Sequence, residues 1–323
     1  MSTASRVLHP TKDDLRRPAS TDTAERIRRV ADELNYRRNP AGRQLRTQRS
    51  YEIAVIVPRL SDLVLATMYE AIQDRAEERG YLTYVSNSHD DAARRNELTE
   101  TALGRRVDGL IFGDAQLDPT FLDHLQSRGV PFVLVNRRSG SHLRSVCDDH
   151  LGGRLVADHL HDLGHRRVGL IGGETWASTS VDRMQGFRER WGEFGLHVPD
   201  NLIISTGFDA LAGFAAAEHC LTNPHPPTAI FAVNDFAAIG AMGASRSAGL
   251  RAGEDISIVG YNDISLAAIL PVPLTTVRSP MLDIGRGAAD LMADILEGHT
   301  PESLVWAPEM VVRASTGPAP SVK

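Results

Sequence analysis

From residue 53 onward the sequence alternates between strand-like and helix-like segments, and this alternation constrains the fold more than any other feature. A β-rich apolar run at 53–57 is followed by a helical pattern at 65–79 that ends at Gly80. The unit recurs, with further strands predicted at 82–85, 107–112, 132–135, 168–171, 202–205, 229–233 and 256–261. Such alternation indicates parallel sheets covered by helices on both faces. One sheet of all these strands would be unusually wide, so we predict two doubly wound α/β lobes with a crevice at the strands' carboxyl ends.

Residues 1–50 have a different pattern. A helix is predicted at 20–36, where Ser20 or Asp22 can cap it and apolar residues recur at helical spacing. A short second helix at 41–45 and a polar linker at 47–50 follow. This region holds 12 Lys and Arg against 6 Asp and Glu, net +6, whereas the remainder of the chain is net −12. Cations concentrated on a short arm are suited to binding a nucleic acid, because neutralising phosphates releases condensed counterions. The alternative, on charge alone, is a solvated helix face.

Several function classes are disfavoured by composition. Cys147 and Cys220 are too few for a disulfide framework and have no CxxC spacing. No apolar run approaches the ~20 residues needed to span a bilayer, and the polar start lacks a signal-peptide pattern. We therefore predict a cytoplasmic protein with no membrane partner.

Chemistry-bearing motifs are weak. His159, His161 and His165 do not share one helix face, so no metal site is predicted. Gly172-Gly173 follows a strand but lacks both G-x-G-x-x-G and a P-loop lysine, so no cofactor is predicted. Neither a G-x-S-x-G nor an H-E-x-x-H motif occurs, and we predict no catalytic residues.

Ordered short motifs run through the whole chain. Near the start stand Ser-Thr-Ala-Ser-Arg-Val-Leu at 2–8, Asp-Thr-Ala-Glu-Arg-Ile at 22–27 and Glu-Leu-Asn-Tyr-Arg-Arg-Asn-Pro at 33–40. The core motifs are 106–111, 163–165, 183–187, 234–235, 260–263 and 274–277. Together they resemble the lactose/galactose-repressor (LacI/GalR) family of transcription regulators. The resemblance implies a small α-helical DNA-binding headpiece and a two-lobed core like that of periplasmic binding proteins.

The resemblance also implies domain boundaries. The headpiece and hinge would occupy 1–50, the first lobe 51–149 and 279–298, and the second lobe 150–278 and 299–316. In this family a further helix precedes the segment that matches 2–8. We therefore expect that 1–50 is a partial helix-turn-helix headpiece and that the coding sequence continues upstream of Met1.

Family positions in the headpiece contact double-stranded operator DNA, and a homodimer reads a near-palindromic site. The implied DNA-binding residues are Ser2, Thr3, Ser5, Arg6, Tyr36, Asn39, Arg43 and Leu45. Hydroxyl and guanidinium groups of the first four can read bases or phosphates in the major groove. Leu45 would be the wedge that enters the minor groove, and the alternative is an ordinary buried leucine of the linker.

A second set of family positions faces the crevice. The implied effector-binding residues are Asp62, Thr179, Arg183, Phe208, Asn234 and Asn262. Arg183 can hold sugar hydroxyls or a carboxylate, and Phe208 can stack on an apolar sugar face or a purine ring. Asp235 is expected to cap the helix that begins near 236.

The class of ligand is left open by two substitutions after Asp62. Val64 and Leu65 stand where the family often has aromatic residues, and Trp176 can compensate for them. The sequence predicts a repressor that senses a small sugar-like metabolite. Two alternatives are a binding protein of the periplasmic kind, which a signal peptide would favour, and an enzyme, which a nucleophile–base pair would favour.

Overall fold

The computed structural model describes residues 3–8, 19–34 and 49–320, and the chain forms two compact units, Met1–Ser50 and Tyr51–Lys323. In the first unit, α1 (Thr3–Leu8) contacts α2 (Thr21–Glu33). Ser20 occupies the N-cap position of α2, but its hydroxyl donates to Thr23 Oγ1 at 2.8 Å instead of accepting a backbone N–H. Residues 35–36, the end of the predicted helix, lie outside the described residues.

The second unit contains two sheets of six strands each. The first sheet has the order β11-β5-β4-β3-β1-β2, and every pairing in it is parallel. Its strands are β1 (Glu52–Val57), β2 (Leu82–Asn87), β3 (Gly109–Phe112), β4 (Phe132–Val135), β5 (Arg144–Cys147) and β11 (Leu304–Trp306). Its helices are α3 (Leu63–Glu78), α4 (Ala92–Gly104), α5 (Thr120–Ser127) and α10 (Met281–Leu296).

The second sheet has the order β12-β10-β9-β8-β6-β7, and only β12 runs antiparallel to its neighbour. Its strands are β6 (Val168–Gly172), β7 (Ile203–Ser205), β8 (Ala229–Ala232), β9 (Ser257–Asn262), β10 (Thr275–Arg278) and β12 (Glu309–Val311). Its helices are α6 (Asp149–Asp162), α7 (Ser178–Glu193), α8 (Ala210–Leu221) and α9 (Asp235–Ser247). The predicted α/β class, with two doubly wound lobes, is confirmed.

Burial explains why the central strands were predictable. Residues 53–57 of β1 are at most 2% exposed, as are those of β3 and β8. A strand covered by helices on both faces must be apolar at every position, and this produces continuous runs of Ile, Val, Leu and Phe. The apolar runs therefore mark the middle of each sheet.

The chain crosses between the lobes three times, after β5, after β10 and after β11. The expectation that 299–316 belongs to the second lobe is wrong for its first part. Leu304–Trp306 pairs in parallel with β5, and Trp306 Nε1 donates to Ser145 Oγ at 3.1 Å. Leu304–Trp306 therefore belongs to the first lobe, although the strand that follows it in sequence, β12, belongs to the second.

None of the described helices combines the length and the apolar character that crossing a bilayer requires.

Candidate functional site

A cleft of about 490 Å³ lies between the two lobes, lined by residues that follow the carboxyl ends of parallel strands in both sheets. Segments after β1, β2 and β4 supply the first-lobe wall. Segments after β6, β7 and β8, together with Asn262 at the end of β9, supply the second-lobe wall. The six positions named from sequence all line this cleft: Asp62, Thr179, Arg183, Phe208, Asn234 and Asn262. Ligands of open α/β sheets bind at such strand ends.

Arg183 is held by its own lobe on three sides. Its Nε donates to Asp149 Oδ1 at 2.8 Å, and its Nη1 donates to the Val233 carbonyl at 2.7 Å. The guanidinium carbon lies 3.7 Å from the centre of the Tyr261 ring, and the arginine is 3% exposed. The buried cation is therefore compensated by a buried carboxylate and an aromatic face.

Asn234 is the N-cap of α9. Its Oδ1 accepts from Ala237 N at 2.8 Å, and its Nδ2 donates to the Phe208 carbonyl at 2.8 Å. One amide thus fixes the start of a helix and the loop that carries the aromatic ring of the cleft. Much of its hydrogen-bonding capacity is already used within the protein.

The expectation that Asp235 caps this helix is wrong. Asn234 has the extended backbone of an N-cap, whereas Asp235 is the first helical residue and is fully buried. Its carboxylate accepts from Ile264 N at 2.8 Å and from the Thr276 hydroxyl. Burial raises the pKa of Asp235 to about 7. The carboxyl that holds the loop after β9 therefore titrates close to neutral pH.

The aromatic wall of the cleft consists of Trp176, Phe208 and Phe236. Phe208 packs so closely on Gly173 that a Cβ there would lie 2.2 Å from the ring. The Gly172-Gly173 pair therefore serves packing, and no phosphate role is needed to explain it. Trp176 lines the cleft together with Val64 and Leu65, as expected if its ring replaces aromatic bulk on the other wall.

Two acceptor groups face the cleft. Asp62 caps α3 through Oδ1, which accepts from Val64 N at 2.9 Å, and burial raises the pKa of its carboxyl. Asn262 has a φ of 108° and is 5% exposed, and its Oδ1 has no hydrogen-bond partner among the described residues. A buried acceptor without a donor is costly, so Asn262 is suited to a ligand that donates to it.

Arg137 was missed by the sequence reasoning. It is 5% exposed, and its Nη1 donates to Asp90 Oδ1 at 2.6 Å. Its guanidinium carbon also lies 5.2 Å from the Trp176 ring centre and 5.6 Å from that of Phe208, across the cleft. The available signal was its position two residues after the predicted strand 132–135, at a strand's carboxyl end.

Direct contacts also join the lobes beside the cleft. Arg138 Nε and Nη2 donate to the two carboxylate oxygens of Asp182 at 2.7 and 2.6 Å. Arg138 N donates to Ser178 Oγ at 2.9 Å, and Leu117 N donates to the Trp176 carbonyl at 2.9 Å. Each bond runs from a first-lobe loop to the segment 176–182 of the second lobe.

The DNA-binding positions are described only in part. Thr3, Ser5 and Arg6 fall within α1, but the side chains of Ser5 and Arg6 are outside the described residues. Ser2, Tyr36, Asn39, Arg43 and Leu45 also lie outside them.

Histidines and carboxylates outside the cleft have structural partners. His165 contacts the hydroxyls of Thr228 and Ser257 at 2.9 Å, and these contacts help to anchor the segment around Gly317. Ligand atoms of Asp294, Glu297 and His299 lie within 4.8 Å of one another. Arg79 donates to both carboxylates, at 2.8 and 3.2 Å, so a cation already occupies that position.

Comparison with known proteins decides the family. Residues 157–316 match the model of the periplasmic binding protein-like domain. The HTH-type transcriptional repressor PurR of Haemophilus influenzae is 30% identical over 97% of this chain and 94% of its own length. The chain belongs to the lactose/galactose-repressor family.

Solved structures agree with this assignment. The Lac repressor dimer bound to operator and the anti-inducer ONPF has a TM-score of 0.86 at 25% identity, covering 98% of this chain and 94% of that chain. The transcriptional regulator CelR in complex with cellobiose has a TM-score of 0.77 at 27% identity, covering 96% and 94%. These LacI/GalR relatives are transcriptional regulators and not enzymes.

Proposed function

We propose that this LacI/GalR member is an effector-responsive repressor that binds a near-palindromic operator as a homodimer and senses a small sugar-like metabolite between its lobes. The observation that carries the proposal is the convergence of six residues, from Asp62 to Asn262, on one cleft. Their side chains combine acceptors, a threonine hydroxyl, a compensated arginine and an aromatic ring. Polyhydroxyl ligands need this combination, since their hydroxyls pair with polar groups and their C–H faces stack on rings.

Lobe closure provides the link between ligand and DNA. A ligand that contacts both walls binds more tightly when the walls are close, so it shifts the population toward closed lobes. In a dimer this shift changes the spacing of the two headpieces and thereby the operator affinity. The crystallised cellobiose complex of CelR and the operator complex of the Lac repressor dimer support the two halves of this proposal.

The basic unit 1–50 is assigned to DNA. Thr3, Ser5 and Arg6 on α1, together with Ser2, would contact bases and phosphates, with Tyr36, Asn39, Arg43 and Leu45 completing the interface. Leu45→Ala should reduce operator bending and specific binding while leaving the salt-sensitive nonspecific component nearly intact. Bending equal to that of the native protein would show that Leu45 only packs within the linker.

Dimerisation is assigned to apolar side chains left on the surface of the core. The loop between β9 and β10 exposes Leu266 by 40% and Ile269 by 76%. Exposed apolar side chains grouped on one loop are typical of a protein interface. A second copy of this chain is the proposed occupant, as in the Lac repressor dimer.

The effector half of the proposal is tested by calorimetric titration of the full chain with mono- and disaccharides and nucleosides. At least one compound should bind, and Phe208→Ala should weaken it by roughly tenfold or more through the lost stacking surface. Phe194→Ala is the matched control, because that ring stacks on His161 outside the cleft. Equal loss from both substitutions would remove the cleft from the ligand site.

A further inference from the structure

The two buried arginines that line the cleft each already pair with a carboxylate of the protein. Arg183 is paired with Asp149 at 2.8 Å, and Arg137 is paired with Asp90 at 2.6 Å. Both side chains are at most 5% exposed, so water does not screen these pairs strongly. An incoming phosphate or carboxylate would have to compete with a carboxylate that is already seated on each guanidinium.

The carboxylates of the cleft are not compensated in the same way. In the described part of the chain, Asp62, Glu174 and Asp209 line the cleft and form no ion pair. Asp62 and Asp209 accept backbone N–H groups at the starts of α3 and α8, which leaves each carboxylate with further acceptor sites. Arg59, which forms no ion pair among the described residues, and Asp209 are both exposed to solvent, where their fields are weakened. Asp62 and Glu174, which are partly buried, therefore supply most of the uncompensated charge.

The side chain of Asn262 also bears on which ligand groups the cleft can bind. Its buried Oδ1 is an acceptor without a donor among the described residues. Arg137 Nε, which belongs to the same cleft, is a buried donor without a partner among the described residues. A ligand hydroxyl can satisfy both groups, because it donates and accepts, whereas an anionic group supplies only acceptors and leaves Asn262 unsatisfied.

We infer that the cleft selects an uncharged or cationic ligand rich in hydrogen-bond donors, such as a polyol or an amino-polyol, and rejects phosphorylated and carboxylate-bearing compounds. This inference rests on the proposed effector function of the cleft. The sequence left open whether Arg183 binds a hydroxyl or a carboxylate of the ligand. Because Arg183 already pairs with the Asp149 carboxylate, we infer that it binds a ligand hydroxyl.

The experiment titrates the full chain with matched sets, each comprising a neutral sugar or nucleoside, its phosphate, its uronic or aldonic acid where one exists, and its amino derivative. In the set that binds, the neutral or amino member should bind at least on the order of tenfold more tightly than the phosphate and the acid. Asp62→Asn keeps the helix cap and removes one negative charge, so it should narrow this ratio severalfold. Asp74→Asn, at an exposed position later in the same helix, should leave the ratio unchanged.

The outcomes separate the two proposals. Equal or tighter binding of the phosphate or the acid, abolished by Phe208→Ala, would overturn the ligand class and leave the effector cleft standing. An unchanged ratio in Asp62→Asn would likewise overturn the charge argument. If no set binds the native chain at millimolar concentration, the proposed function fails, and the ligand class fails with it.

Discussion

Arg138 and Asp182 join the two lobes through a two-point ion pair, with N–O distances of 2.7 and 2.6 Å. Arg138 lies in the loop after β4 of the first lobe, and Asp182 lies on α7 of the second. Thr179 and Arg183, which line the cleft, occupy the same helix within one turn of Asp182. The pair therefore couples the separation of the lobes to the helix that carries part of the proposed effector site.

Breaking this pair should favour separation of the lobes. The Arg138 and Asp182 side chains are 38% and 17% exposed, so their ion pair is partly screened by water. We therefore expect Arg138→Gln to destabilise the arrangement with the lobes in contact by about 0.5–1 kcal/mol. Ligand affinity should fall by the same factor of roughly two to five, because a smaller fraction of the protein is competent to bind. Distances between one spin label in each lobe measure the change directly.

Arg154→Gln is the matched control for that experiment. Arg154 forms a similar bidentate ion pair with Glu193, with N–O distances of 2.8 and 3.1 Å, but both residues belong to the second lobe. The interlobe distance should not move in this variant. An identical distance distribution in both variants would show that Arg138 does not restrain the lobes.

Removing Arg183 should cost stability as well as ligand affinity. Arg183→Ala leaves the Asp149 carboxylate, 6% exposed, without its cation, and the cost should be about 3–5 kcal/mol. Urea unfolding of the core measures this loss. Asp149→Asn combined with Arg183→Met should recover part of it, because no buried charge is then left unpaired. Native-like stability of Arg183→Ala would contradict the assigned ion pair.

The buried carboxyl of Asp235 predicts a pH dependence of stability. Burial raises its pKa in the folded state to about 7, whereas the unfolded chain titrates near the ordinary value of an aspartate. The folded protein therefore binds more protons between these values, and the free energy of unfolding should fall as pH rises toward 7. Above that pH the cost, a few kcal/mol, is fully present.

Asp235→Asn tests this linkage, since an amide can accept from Ile264 N and donate to the Thr276 hydroxyl. The variant should match the native protein near pH 4 and exceed its stability at pH 8, in urea titrations at both values. A pH-independent difference would mean that Asp235 does not titrate in this range.

The proposed dimer can be tested at Ile269, which is 76% exposed on the loop between β9 and β10. A charge buried in an apolar interface is strongly unfavourable, so Ile269→Asp should shift the chain from dimer to monomer by at least about tenfold in the dissociation constant. Sedimentation velocity reports the change. Val312→Asp, at a valine exposed by 60%, is the control, and its dimer should persist. Equal sedimentation of native protein and Ile269→Asp would place the interface elsewhere.

The sequence predicted the middle of each sheet far better than its edges. The fully buried run Ala229–Ala232 is apolar at every position and was predicted as a strand. Arg144–Cys147 was not predicted, because Arg144 and Ser145 interrupt its apolar run. Leu304–Trp306 was not predicted, because it has only three residues and its pairing partner, β5, is distant in sequence. Thr275–Arg278 was also missed as a strand, since its buried threonine hydroxyls look polar until Thr316 and Asp235 supply their partners.

The site was predictable by position and less so by charge. The six proposed effector positions follow from family motifs, and all six line the cleft. Arg137 was missed, and the neutralisation of Arg183 by Asp149 was not foreseen. A buried ion pair forms only where two elements come together in the fold. The spacing of residues along the sequence does not predict which residues on separate elements will be in contact. The proposed charge of the ligand therefore rests on contacts that the structure shows and the sequence does not.

In the proposed function, a small molecule in the interlobe cleft controls DNA binding. The direct measurement selects a DNA site for the full chain from a random library and titrates it with and without a compound that binds the native protein. If the cleft controls DNA binding, the compound should change the operator dissociation constant by about 5- to 150-fold. Phe208→Ala should remove this change and still bind the operator normally without ligand. An operator affinity that is the same with and without bound compound would show that the cleft does not control DNA binding.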